Sequence, residues 1–312
     1  QPLISRRTII KTGVALGIGL TGYQGLRYAV DKYDKHQEAQ KLKNVAEGTN
    51  LITKGNTLLE QKQYEKALQA FDQSLQLIPQ NKNAFLGKGI AFIQLKKYQE
   101  AINAYDEVIK IDPKDSSAFF NRGNCFSQLD QYQAAINDYT EAIKLNPKDD
   151  QAFTNKGLLF IKFNKYEDAI QNFDQAIEIN SHNSDAYFGK GNVLEKTNKY
   201  KEALIAYQKA TELDPQNSNA FFGKGNVLVE LGRNKEALIA YDRVIALDPK
   251  NTDAFANRSL AFNKLGEYKE ALKSANHAIE LNSEEKWAFS QKGYALGKLG
   301  DYEEAIKAYD EY

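Results

Sequence analysis

Along most of this chain, small and large apolar residues recur among polar ones on a helical period. Phe119 and Phe126 stand seven apart with Gly123 between them, and Ala135, Tyr139 and Ala142 follow at spacings of four and three. Positions that repeat at three, four and seven residues share one face of an α-helix. The pattern predicts one helix around Gly123 and a second around Tyr139. The breaks carry their own signals. Leu231-Gly232-Arg233 and Leu265-Gly266-Glu267 place a glycine where the first helix stops, and glycine suits the left-handed conformation of a helix C-terminus. The second helix closes at Asp-Pro or Asn-Pro, as in Asp214-Pro215, because proline has no amide to continue the ladder. Asn217-Ser218 then offers N-capping side chains to the next apolar run, Ala220-Phe221.

This two-helix pattern repeats. Pro79, Pro113, Pro147, Pro215 and Pro249 lie on one grid with a constant step of thirty-four, with Ser181 filling the gap and Ser283 ending the run. Gly55, Gly89, Gly123, Gly157, Gly191, Gly225, Ser259 and Gly293 keep the same step. Ala67, Ala101, Ala135, Ala169, Ala203, Ala237, Ala271 and Ala305 keep it without exception. The small residues let two helices approach, and Phe119, Phe126 and Tyr139 fill the space beside them. One hairpin cannot bury such a face alone, so neighbours must stack.

Within one step of that grid the order is Phe/Leu, Gly, Phe/Leu, Ala, Phe/Tyr, Ala/Val, Pro, which resembles the tetratricopeptide repeat. The resemblance covers residues 48–312, about eight repeats with the last one truncated. It implies an all-α fold, a right-handed superhelical solenoid of antiparallel helix pairs. Departures are local: Ser259 for the glycine and Ala275 for the aromatic in the seventh unit, Asn234 for the usual tyrosine in the sixth, and Ser181 and Ser283 for proline. An RNA-reading helical repeat whose step is one residue longer fits less well.

Charge supports that distinction. Lys plus Arg equals Asp plus Glu at 41 each, so the net charge is zero, whereas nucleic-acid binders are visibly basic. No nucleic-acid partner is expected. The excess of base sits in residues 1–45. There, Ser5-Arg6-Arg7-Thr8-Ile9-Ile10-Lys11 resembles the twin-arginine export motif, with Ile9 and Ile10 in place of its Phe-Leu pair. A glycine-rich apolar run from Thr12 to Tyr23 follows, short for a membrane span and suited to a signal. Residues 1–30 are therefore expected to be a signal or membrane anchor, with Arg6 and Arg7 as its export residues. The expected location is exported or membrane-anchored, in the periplasm or thylakoid lumen, against the alternative of a cytoplasmic or peripheral protein. Residues 31–47 read as a polar linker helix. The chain has no methionine and stops at Tyr312 inside a helical pattern, which suggests a fragment. On that view the array is either a scaffold in its own right or the recognition module of a larger enzyme or assembly factor.

No catalytic constellation is visible, so no enzyme activity, cofactor or metal is expected. Cys125 is the one cysteine and falls on a packed helix face, where a buried thiol is expected. His182 and His277 lack metal-ligand spacing. Gly189-Lys190-Gly191 and Gly223-Lys224-Gly225 lie inside helices on the grid with no strand before them, unlike a phosphate loop.

Function then rests on surface. The resemblance implies that the first helices line a concave groove holding a protein or peptide ligand. Two residues before the repeat glycine stand Asn121, Asn155 and Asn257, and one after it Asn56, Asn124, Asn192 and Asn226. Asparagine both donates and accepts hydrogen bonds, as the amides of an extended peptide require. Three before the glycine stand Phe120, Phe188 and Phe222, aromatic anchors for apolar side chains. The alternative at each position is internal: asparagines solvating a helix, phenylalanines packing on the next repeat. Some family members hold chaperone tails with a carboxylate clamp. Its positions here are Ile52, Phe120 or Phe222, then Asp185 and Gly189 or Trp287 and Gln291, so no such clamp is expected. Finally, Lys54, Lys88, Arg122, Lys156, Lys190, Lys224, Arg258 and Lys292 precede the repeat glycine, or Ser259 in its place, in every unit. They form either a ladder facing an acidic partner or stems packed between helices with paired heads, and the neutral total favours pairing.

Overall fold

Once per repeat a backbone position turns left-handed: Lys62, Lys96, Asp130, Asn164, Asn198, Gly232, Gly266 and Gly300 have φ between 55° and 93°. Each of these residues sits between two helices in a computed structural model that describes residues 20–311, and no strand occurs among them. The helices are α1 (Leu20–Glu60), α2 (Tyr64–Leu77), α3 (Lys82–Gln94), α4 (Tyr98–Ile111), α5 (Ser116–Gln128), α6 (Tyr132–Leu145), α7 (Asp150–Lys162) and α8 (Tyr166–Ile179). They continue as α9 (Ser184–Lys196), α10 (Tyr200–Leu213), α11 (Ser218–Glu230), α12 (Asn234–Leu247), α13 (Thr252–Leu265), α14 (Tyr268–Leu281), α15 (Lys286–Leu299) and α16 (Tyr302–Asp310). From α3 onward the odd-numbered helices start at side-chain caps. Asn81, Asp115, Asp149, Asn183, Asn217 and Asn251 each accept the amide of the alanine three residues on. Glu285, before α15, makes no such bond.

The helix pairs close around an aromatic ring gripped by glycine. A Cβ on Gly191 would lie 2.7 Å from the Tyr207 ring, and one on Gly223 would lie 2.5 Å from it. Gly55 and Gly87 hold Phe71 in the same way, at 2.5 and 2.3 Å. The Gly-Lys-Gly pairs are thus packing devices: the second glycine admits the ring of its own repeat and the first admits the ring of the preceding one. Alanine supplies the other close approaches. The grid alanines are joined by a second series, Ala84, Ala118, Ala152, Ala186, Ala220, Ala254 and Ala288, all fully buried.

The chain divides into two compact units, residues 1–134 and 135–312. In the first, α1 is a single helix of 41 residues running through the expected linker and into the first repeat. It docks on α2 at Gly48, whose carbonyl accepts the Ser74 hydroxyl at 2.8 Å. The core of this unit gathers Ile102, Tyr105, Val108 and Cys125 with Phe85, Phe92 and Phe126 around them. Burial pushes the Cys125 thiol up to about 12, which leaves it a packing group rather than a nucleophile.

In the second unit, the largest set of buried residues runs from Leu194 to Ala261 and includes Tyr207, Val227, Leu228 and Tyr241. The departures of the seventh repeat compensate one another. Ala275 removes the ring, and Ser259, in place of glycine, fills space there while its hydroxyl donates to the Ala271 carbonyl at 2.8 Å. Phe255 closes the same repeat edge-on against His277, with ring centroids 4.3 Å apart.

Candidate functional site

The basic stripe resolves into pairs. Lys88–Asp72 (2.6 Å), Arg122–Asp106 (2.6 Å), Lys190–Asp174 (2.5 Å) and Arg258–Asp242 (2.8 Å) each join a cation to an acid of the preceding helix, at one constant sequence separation. The charged heads also lie over aromatic rings, with the Arg122 guanidinium 5.4 Å from the Phe119 centroid and that of Arg258 5.2 Å from the Phe255 centroid. Such half-exposed pairs each contribute at most about 1 kcal/mol. At these four positions the ladder faces its own chain.

A connected polar rail runs across the odd-numbered helices of the second unit. Tyr207, from the core, places its hydroxyl 2.7 Å from Asn192 Oδ1 and 2.5 Å from Glu195 Oε2. Glu195 also accepts a bond from Asn226. Asn226 Oδ1 accepts the Tyr241 hydroxyl at 2.9 Å and the Asn257 amide at 3.2 Å. Asn257 Oδ1 accepts the Trp287 indole N–H at 3.0 Å. The rail therefore links α9, α11, α13 and α15 in sequence. One phenolic proton cannot serve both oxygens beside Tyr207, so either Asn192 presents its NH₂ to the phenol or Glu195 carries a proton. Burial raises the Glu195 carboxyl above its ordinary 4.5, and Glu230 adds to that; the bonds from Tyr207 and Asn226 and the charge of Lys196 oppose it.

Phe188 and Phe222 stand beside this rail, half-buried on α9 and α11. Each leans on the tyrosine of its own repeat, at 6.2 Å from Tyr207 and 6.0 Å from Tyr241 between ring centroids. Their inner edges thus belong to the core, and part of each ring remains accessible. Further along, Trp287, Tyr294, Lys264 and Gln291 line a cleft of 320 Å³.

The expected site residues divide between the units. Phe120, Asn121 and Asn124 are half-buried on α5 in the first; Asn155 is half-buried on α7 in the second. Asn192, Asn226, Asn257, Phe188 and Phe222 come together along the rail. Asparagine has a double part here, because Asn192 and Asn226 engage core phenols as well as facing the helix surface. Glu195, Trp287 and the hydroxyls of Tyr207 and Tyr241 were not expected. Asparagine precedes tyrosine at the same interval in 192/207 and 226/241, but Asn56 precedes Phe71 and Ile90 precedes Tyr105, so the spacing alone does not mark the bonded phenols. Arg6 and Arg7 lie outside the described residues. Among those residues, no group of three His, Cys, Asp or Glu is placed to hold a metal ion, and no helix is long and apolar enough to cross a membrane.

These features define a class, a helix-pair repeat protein whose first helices present a polar and aromatic surface. Tetratricopeptide-repeat models match residues 58–120, 116–149, 154–218, 206–239, 252–285 and 288–312, and a TPR-repeat model matches 225–266. The chain belongs to the tetratricopeptide-repeat family. A search of curated proteins gives no match. Among solved structures the chain is similar to YrrB, described as a TPR protein with an unusual peptide-binding site, at 26% identity. That match has a TM-score of 0.55 and covers 60% of this chain and 96% of YrrB. It also shares its fold with a tetratricopeptide repeat protein from Parabacteroides merdae (19% identity, TM-score 0.58, 80% of this chain and 99% of that one). PilF of Pseudomonas aeruginosa shares the fold too (18% identity, TM-score 0.60, 66% and 94%).

Proposed function

We propose that this chain is a protein-interaction scaffold whose second unit holds an extended peptide segment along α9, α11 and α13. The observation that carries the reading is the pairing of Phe188 and Phe222, one repeat apart, with the rail Asn192–Glu195–Asn226–Asn257. Half-exposed rings offer apolar anchoring, and a pre-ordered amide row meets peptide N–H and C=O groups without a large ordering cost. The likeness to YrrB supports a peptide as the ligand class. Within the first unit, Phe120, Asn121 and Asn124 place the same residue types on α5.

Selection of peptides from a displayed random library on the immobilised protein provides the test. Phe188→Ala with Phe222→Ala should weaken the selected peptides about tenfold or more, with helical circular dichroism retained. Peptides that bind both proteins equally would remove the groove reading. The export reading stands on the motif at residues 5–11 and the apolar run from Thr12 to Tyr23, and we propose that they direct export through Arg6 and Arg7. Arg6→Lys with Arg7→Lys should then leave the protein in the cytoplasmic fraction, and unchanged export would exclude a twin-arginine route.

A further inference from the structure

Position 195 is unusual within its own repeat series. The residues one or more repeats away are Leu59, Ile93, Ser127, Ile161, Val229, Asn263 and Gly297. None carries a charge, and Val229 is almost wholly buried. The fold therefore packs this position without a carboxylate. Glu195 nevertheless sits there half-buried, where removing a charge from water costs free energy. It accepts bonds from Tyr207 and Asn226. Neither Glu195 nor Glu230 enters an ion pair among the described residues, and Lys196 is the cation felt at Glu195. Two negative groups thus bear on the rail beside two aromatic rings, and an aromatic face attracts a cation as well.

We propose that the segment held by the second unit carries a lysine or arginine, whose stem lies along Phe188 and Phe222 and whose cation meets Glu195. The proposal rests on the groove reading above and adds the charge of the ligand. Tyr207 and Asn226 leave the Glu195 carboxylate without an ion-pair partner, which an incoming cation supplies, and a charge-assisted bond in a half-desolvated site is stronger than one in water. A basic segment also complements Glu230 nearby. An acidic segment would leave three carboxylates together.

The probe is a set of four capped nonapeptide pools with Arg, Lys, Gln or Glu fixed at the centre and only uncharged residues elsewhere. Binding to the full chain is read by fluorescence anisotropy. The Arg and Lys pools should bind about tenfold tighter than the Gln and Glu pools. Glu195→Gln keeps an acceptor oxygen for Tyr207, so it should retain the fold by circular dichroism while erasing the preference. Glu195→Lys should turn the preference towards the Glu pool. Equal binding of the Arg and Gln pools, with both lost in Phe188→Ala/Phe222→Ala, would overturn the basic preference and leave the groove reading standing. Pools that fail to bind, or that ignore the two phenylalanines, would overturn both.

Discussion

A single hydroxyl decides whether a buried tyrosine helps or harms this array. Tyr207 and Tyr241 find Asn192 and Asn226 one helix earlier. Tyr105 finds Ile90 at the corresponding position, and its hydroxyl is buried without a partner. An unmet buried hydroxyl costs about 1–3 kcal/mol, whereas a met one contributes about 1 kcal/mol. Tyr105→Phe should therefore stabilise the protein by about 1 kcal/mol, and Tyr241→Phe should destabilise it by a similar amount. Urea midpoints at constant slope would show the opposite signs. Glu195 makes a pH-dependent counterpart. Its carboxyl is raised above 4.5 on folding, mainly by burial, with Tyr207, Asn226, Lys196 and Glu230 facing it. A raised carboxyl adds stability below about pH 4.5 that is lost as pH climbs through the folded value. Glu195→Gln should therefore gain on the parent as pH rises from about 4.5 towards neutrality. A difference in urea midpoint that stays flat with pH would contradict this.

At the scale of the helix and its turn, the chain solves one geometric problem eight times with unequal residues. The left-handed position is glycine at 232, 266 and 300 but lysine at 62 and 96. A side chain in that conformation costs about 1–2 kcal/mol, partly offset by the greater unfolded freedom of glycine. Lys62→Gly and Lys96→Gly should each add about 0.5–1 kcal/mol, measured by thermal unfolding; Asn164→Gly should add less, because asparagine tolerates the conformation. Much of this architecture was legible in advance, since Gly232, Gly266, the proline grid and the Asn217 cap mark helix ends by backbone chemistry. The joining of residues 31–47 to the first repeat was less visible. That stretch has no glycine or proline between Gly25 and Gly48 to mark an end, and α1 runs through it unbroken. The alanine series from Ala84 to Ala288 was also missed, because it abuts polar caps and breaks no period. The site was legible only in part. Phe188, Phe222 and the asparagines keep the repeat step. Glu195 departs from it, and a periodic reading passes over what one repeat does alone.

For the molecule as a whole, a repeat array has no single core, so its stability is a sum over local units and their neighbours. The buried residues of the second unit are most continuous from Leu194 to Ala261, where Tyr207 is held by glycines on either side and Tyr241 by Gly225. Residues 32–43 of α1 are exposed throughout, and a helix without a packed face is marginal in water. Amide protection should follow that gradient. Hydrogen exchange read by mass spectrometry should be slowest in α10, α11 and α12, and fastest in residues 32–43, because opening free energy scales with local burial. The middle of the rail, at Asn226 and the Tyr207 and Tyr241 hydroxyls, lies in the slowest region and α9 packs directly on α10, so a peptide bound there finds Phe188, Phe222 and Glu195 already ordered and loses little entropy on binding. If exchange were instead uniform along the chain, the array would open as one cooperative body, and local burial would not be what holds the rail in place.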